Sequence, residues 1–152
     1  MGRDWFPKRT IGSLVDDRAT RDGAREALVF EERRWTFAEL AWEVDAVARG
    51  LINLGIGPGD KVSLWMMNRP EWIYAALAVM RIGAVLVPIN TRFRTDDAAY
   101  VLSQSDSTTL IIAAQSGQST ISQWCASYCR RSVPVVMSCA TPSCRRCGAS
   151  SC

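Results

Sequence analysis

The sequence predicts an α/β fold built on a buried parallel βαβ unit, and three observations in one stretch carry that prediction. Residues 55–90 read GIGPGDKVSLWMMNRPEWIYAALAVMRIGAVLVPIN. Val62–Met66 and Ala84–Ile89 are apolar runs of strand length, too short for helices and apolar on both faces, as strands covered on two sides are. Between them, Asn68, Arg69 and Pro70 open a helix: Asn is a favoured N-cap, and Pro loses nothing in a first turn. The spacing of Ile73, Leu77 and Met80 gives that helix one apolar face, and Gly83 stops it.

The remaining elements follow in order. Ile11, Leu14, Val15 and Ala19 recur at helical spacing, which predicts a short amphipathic helix over Thr10–Arg21. Ala27–Phe30 and Arg33–Phe37 are β-prone runs flanking Glu31-Glu32, a hairpin pattern. Thr36 and Glu39 have the spacing of a capping box, so a helix begins there. Leu40, Val44, Val47, Leu51 and Leu54 form its apolar stripe, with Glu43, Asp45 and Arg49 off it. Gly55–Asp60 is a Gly/Pro turn able to supply positive φ. After Asn90, Thr95 reads as an N-cap with Asp96 and Asp97 in the first turn, where acids favour the positive end of the helix dipole. Tyr100, Val101 and Leu102 complete that helix, and Thr108–Ala113 is a further strand.

The motifs in this run resemble the N-terminal region of adenylate-forming enzymes, in the acyl-CoA synthetase branch. The resemblance rests on W-T-F-x-E-L (Trp35, Thr36, Phe37, Glu39, Leu40) and G-x-x-x-G-D-x-V (Gly55, Gly59, Asp60, Val62). Asn68, Pro70 and Glu71 continue it, as do Leu77, Ala78 and the run Gly83, Ala84, Val85, Val87, Pro88, Ile89, Asn90. It covers residues 5–115, expected to be a partial N-terminal subdomain of the family's large domain. These are scaffold positions, specific for membership rather than for chemistry. The resemblance implies activation of a carboxylic or fatty acid with ATP, followed by transfer to coenzyme A. ATP, Mg²⁺ and coenzyme A are thus the implied ligands of a full-length enzyme, together with the small-molecule acid.

None of that chemistry is assigned to a residue of this chain. A triphosphate needs a cluster of backbone N–H donors, which the family supplies in a Ser/Thr/Gly-rich loop ending in Pro-Lys. No such string occurs here, and Lys8 and Lys61 match no catalytic lysine. Gly57-Pro58-Gly59-Asp60 is read as a helix-to-strand turn rather than a phosphate cradle, because Pro58 removes a donor where donors are wanted. The chain has no His, so a Ser–His or Cys–His nucleophile is excluded. No catalytic, cofactor-binding or metal residue is therefore named. Trp35, Trp42, Trp65 and Trp72 lie in or beside predicted elements and are expected to pack in the core or at an interface.

The chain changes character near Ser116. All 15 acidic residues lie at or before Asp106, where 14 basic ones leave a charge near −1; beyond Ser116 come Arg130, Arg131, Arg145 and Arg146 and no acid. The six cysteines (Cys125, Cys129, Cys139, Cys144, Cys147 and Cys152) are all there too. Residues 116–152 are rich in Ser, Cys and Arg and show no period beyond the brief Val133–Met137 run. Out-of-frame translation of a GC-rich coding sequence produces this composition, and the expectation is a frame change near Ser116–Gln118 followed by an early stop. The alternatives are a complete ligase whose remainder lies downstream, or a non-catalytic interaction or zinc-binding module using the tail. Cys144 and Cys147 have the spacing of a zinc half-site that Cys125/Cys129 or Cys139/Cys152 would complete, but the full set of spacings does not follow the usual finger pattern.

Four tail arginines without stacking aromatics do not make a nucleic-acid site. Residues 1–10 lack an apolar signal core. Trp72–Ile89 carries Arg81 near its middle, which costs about 2.5–3.5 kcal/mol at a bilayer centre. No transmembrane segment is expected, and the chain reads as cytoplasmic. Made alone, it is expected to be insoluble or molten, because an incomplete sheet leaves edges and apolar faces bare.

Overall fold

The structure is a computed structural model, and it describes residues 10–113 and the strand Val135–Ser138. A 3-10 turn at Ile11–Ser13 leads into α1 (Leu14–Asp22). The hairpin follows as β1 (Glu26–Phe30) and β2 (Arg33–Thr36), paired antiparallel with Leu28 opposite Trp35 and Phe30 opposite Arg33. Then come α2 (Phe37–Asn53), β3 (Lys61–Trp65), α3 (Pro70–Arg81), β4 (Val85–Pro88), α4 (Thr95–Ser105), β5 (Thr109–Ala113) and β6 (Val135–Ser138).

The central sheet has the order β4-β3-β5-β6, with every pair parallel. Alternation along β3 splits the core in two. Val62, Leu64 and Met66 face α2 and α3, where they pack with Val44, Leu51, Ala78 and Val79. Trp65 faces the other way and joins Leu110, Ile112 and Ile89 against Ala98 and Leu102 of α4. Helices on both faces of a parallel sheet are the doubly wound arrangement. β3, buried from Val62 to Trp65, fits the sequence reading of a strand apolar on both sides. β4 does not: it is an edge strand, and Val85 is 46% exposed.

α2 begins with the capping box that Thr36 and Glu39 promise. The Glu39 N–H donates to Thr36 Oγ1 at 3.3 Å, and the Thr36 N–H donates to Glu39 Oε2 at 2.8 Å. The backbone bond holds the Glu39 carboxyl below the usual carboxylate range, helped by the Thr36 hydroxyl and by Arg33. The buried stripe runs Leu40, Val44, Ala48, Leu51, whereas Leu54 has already left the helix and is exposed.

The other two caps sit one residue from their expected places. Arg69, not Asn68, is the N-cap of α3, because Pro70 occupies its first position and forces the preceding residue to be extended. Arg94, not Thr95, is the N-cap of α4, and its N–H donates to Asp97 Oδ2 at 3.1 Å. α3 also buries a different face from the Ile73, Leu77, Met80 row. Tyr74, Ala75, Ala76, Ala78 and Val79 are buried, because the helix lies between the sheet and α2 and needs small residues on both sides.

Two polar clusters tie elements together. Arg81, at the end of α3, reaches Asp16 of α1 at 3.0 Å and Asp45 of α2 at 3.5 Å. On the opposite face, Ser63, Ser107 and Ser105 form a hydroxyl chain with 2.7 Å links. Ser105 Oγ donates to the Leu102 carbonyl at 3.3 Å, so Ser107 donates to Ser105 and Ser63 to Ser107. Among the described residues no helix is long and apolar enough to cross a membrane.

β6 forms on the Val133–Met137 run of the tail, with Leu110 of β5 opposite Val135 and Ala113 opposite Ser138. The six cysteines and Lys8 lie outside the described residues.

Candidate functional site

Open parallel sheets bind ligands beyond the carboxyl ends of their strands, where the strand order reverses. Here the reversal is at β3, which is followed by a strand on one side and then by another on the opposite side. The loop leaving β3 runs Met66, Met67, Asn68 and Arg69 into the first turn of α3. Beside it lies a hollow of about 320 Å³. Leu28 and Phe30 of the hairpin form one wall, and Pro70, Trp72 and Ile73 of α3 form the other. Asn68 and Arg69 close one end, but the Arg69 guanidinium is already answered by Glu71 at 3.3 Å. The walls are apolar, and nothing in them is arranged for acid–base or nucleophilic work.

Behind this hollow, Trp35 and Tyr74 meet edge to face with ring centroids 6.2 Å apart. The Arg33 guanidinium stacks over the Trp35 ring at 4.3 Å and pairs with Glu43 at 3.6 Å. Trp35 Nε1 and the Tyr74 hydroxyl are buried without a hydrogen-bond partner among the described residues. Burial, with Glu43 next in effect, pushes the Tyr74 phenol far up, so it stays protonated. Trp35 and Trp65 are core residues; Trp72 is half-buried at the hollow, and Trp42 is 64% exposed.

The glycine loop is a turn in which the amides are consumed internally. The Gly57 N–H donates to Asp60 Oδ2 at 2.8 Å and the Asp60 N–H to the Gly57 carbonyl at 3.2 Å. The Gly59 N–H donates to the Gly83 carbonyl at 2.9 Å. Gly59 and Gly83 both take positive φ, 87° and 78°, and so zip this turn to the one before β4. No amide is left to point at a phosphate. Lys61 Nζ pairs with Asp106 at 3.2 Å across the surface. Among the described residues no cluster of three or more His, Cys, Asp or Glu side chains is placed to hold a metal. Among the described residues, neither this turn nor any carboxylate cluster is arranged to hold a triphosphate or Mg²⁺.

The model of the AMP-binding enzyme family matches residues 15–145, a stretch that takes in β6. The putative acyl-CoA synthetase YngI of Bacillus subtilis (strain 168) is 40% identical over 105 residues, 68% of this chain and 19% of that protein. The human mitochondrial medium-chain acyl-CoA ligase ACSF2 is 35% identical over 109 residues, 70% of this chain and 18% of the ligase. The chain thus spans about a fifth of the length of the curated relatives it matches. Among solved structures, the inhibitor-bound N-terminal domain of FACL13 from Mycobacterium tuberculosis superposes with a TM-score of 0.71 at 33% identity. That match covers 76% of this chain and 29% of the domain. The N-terminal subdomain of Klebsiella oxytoca NpsA, in complex with 3-hydroxybenzoyl-AMSN, gives 0.69 at 31% identity, covering 74% and 28%. The α/β framework is accordingly that of a known scaffold, and the chain belongs to the AMP-binding enzyme family.

Proposed function

We propose that this chain is an N-terminal portion of an AMP-forming acid–CoA ligase and that it does not run the reaction by itself. The family reaction is carboxylic or fatty acid plus ATP and coenzyme A to acyl-CoA, AMP and pyrophosphate. The observation that carries this reading is the pairing of 35–40% identity to acyl-CoA ligases with a span of only about a fifth of their length. The internally bonded Gly57–Asp60 turn supports the second half, since its donors are not available to a triphosphate. In this reading residues 10–113 supply framework: a rigid sheet on which substrate-contacting segments are mounted.

The test is carboxylate-dependent exchange of labelled pyrophosphate into ATP by the purified chain, across short, medium, long-chain and aromatic acids. The expected result is exchange at the no-protein level for every acid. Exchange by this chain alone, dependent on one acid, overturns the proposal. Translating the other two frames from the codon for Leu110 onward tests the frame change separately. A strand–helix pattern leading to a Gly/Thr-rich Pro-Lys loop is the result expected there.

A further inference from the structure

We propose that the solvent face of α2 is the seam of a two-fold dimer, in which a second copy of this chain lays its own α2 antiparallel along it. Helix α2 carries two stripes. One is the buried row Leu40, Val44, Ala48, Leu51. The other faces outward and reads Ala38, Trp42, Asp45, Arg49, Ile52, in steps of four, three, four and three, the spacing of a coiled-coil seam. Trp42 is 64% exposed and Ile52 56%, and they are the two large apolar side chains that α2 leaves bare. Between them lie Asp45 and Arg49, paired within the helix at 2.8 Å. Arg81 reaches the other carboxylate oxygen of Asp45 at 3.5 Å, which anchors that carboxylate beside the stripe.

The occupant follows from the order of these residues. In an antiparallel helix pair with a two-fold axis, positions equidistant from the axis face each other. Trp42 and Ile52 are equidistant from Val47, and so are Asp45 and Arg49. One axis at that height therefore sets Trp42 on Ile52 of the second copy and Asp45 opposite its Arg49, each layer occurring twice. The stripe is thus complementary to itself in charge as well as in shape. A parallel pairing is disfavoured, because it sets Asp45 against Asp45 and Arg49 against Arg49. The charged layers fix orientation and register, as polar seam residues do, while the Trp42–Ile52 layers supply the apolar contact at both ends. A seam on one 17-residue helix is short, so the dimer is reversible and belongs at the low end of interface sizes. The open sheet edge is a poorer seat for a second copy: β4 ends in Pro88, which has no N–H to offer an added strand. Ile11 and Tyr100 belong to separate elements.

The experiment makes the full chain with a benzoylphenylalanine photo-cross-linker in place of Trp42, irradiates it and maps the adducts by mass spectrometry. The expected product has twice the monomer mass and joins position 42 to the tryptic peptide 50–61 of a second copy, which contains Ile52. An adduct from position 42 to peptide 35–49 of a second copy means parallel pairing and overturns the proposal. Adducts to any other segment or to a different protein, or none at the dimer mass, overturn it as well. Charge exchange tests the register independently. Arg49→Asp and Asp45→Arg, each alone, set like charges across the seam and are expected to weaken self-association about tenfold in sedimentation. Mixed one to one, the two variants are expected to form a heterodimer as tight as the wild-type dimer, because each Arg then meets an Asp. A mixture no tighter than either variant alone refutes the pairing. The cross-link is read on a chain whose Asp45 and Arg49 are intact, so it does not depend on the charge variants folding.

Discussion

Thr36 and Glu39 hold the first turn of α2 by exchanging two hydrogen bonds, and their contribution has a defined dependence on pH. The folded carboxyl titrates below its ordinary value, so its stabilisation is fully present above about pH 4.3 and is lost as pH falls through the lowered folded value. Thr36→Ala is expected to cost about 1 kcal/mol. Glu39→Gln is expected to lower the urea midpoint at pH 7 and to differ less from wild type at pH 3; far-UV circular dichroism checks both, because it follows helix content even in loosely packed states. Gly12 is a separate case. A Cβ there would lie 2.6 Å from the Arg81 Cα and 2.7 Å from the Met80 carbonyl oxygen. Gly12→Ala is expected to cost about 1–3 kcal/mol by forcing the N-terminal turn off α3. Tyr74→Phe goes the other way: it deletes a buried hydroxyl without a described partner, so the urea midpoint is expected to hold or rise. At this scale sequence was a partial guide. The Thr36–Glu39 spacing named both partners of the cap, but Asn68 and Thr95 each lay one residue from the true cap. Pro70 decided the first by holding Arg69 extended, and Asp97 decided the second through its carboxylate, which accepts the Arg94 N–H.

Among the elements, β3 and α3 carry the most of the fold, and they were unequally legible. β3 announced itself as a continuous apolar run because it is covered on both faces. β4, similar in composition, turned out to be an edge, since composition cannot say which strand receives a neighbour on each side. α3 showed a large-residue row at Ile73, Leu77 and Met80, yet its closest packing is through Ala75, Ala76 and Ala78. Short side chains let α2 and the sheet approach it together, a signal that hydrophobic periodicity underweights. Ala78→Leu is accordingly expected to destabilise by about 1–3 kcal/mol through overpacking, while Leu77→Ala, at a half-buried position, costs less. Thermal midpoints of the two variants, compared side by side, check the order. The serine chain makes a parallel point: Ser63 is fully buried in a strand, a placement tolerated because Ser107 Oγ accepts its hydrogen bond.

For the molecule as a whole, family and fold class were readable because scaffold motifs are dense between Trp35 and Asn90. The hollow between the hairpin and α3 was not, because Leu28 and Phe30 are far from Trp72 in sequence and carry no motif in common with it. Exposed Ile11, Trp42, Ile52 and Tyr100 and the open β4 edge lead to an expectation for the isolated chain: a broad thermal transition with dye-accessible apolar surface, rather than a sharp two-state melt. Calorimetry and a fluorescent apolar dye check this, and a single sharp transition with no dye binding would count against it. The strand order has a further consequence, in time rather than space. β3 and β4 are joined through α3 alone, so their pairing closes a short loop and is complete once about ninety residues have left the ribosome. β5 then adds to the open side of β3, and β6 to the open side of β5. Among the described strands, none has to be inserted between two that are already paired. The sheet can therefore be assembled in the order of synthesis, each new strand finding a finished edge as its template.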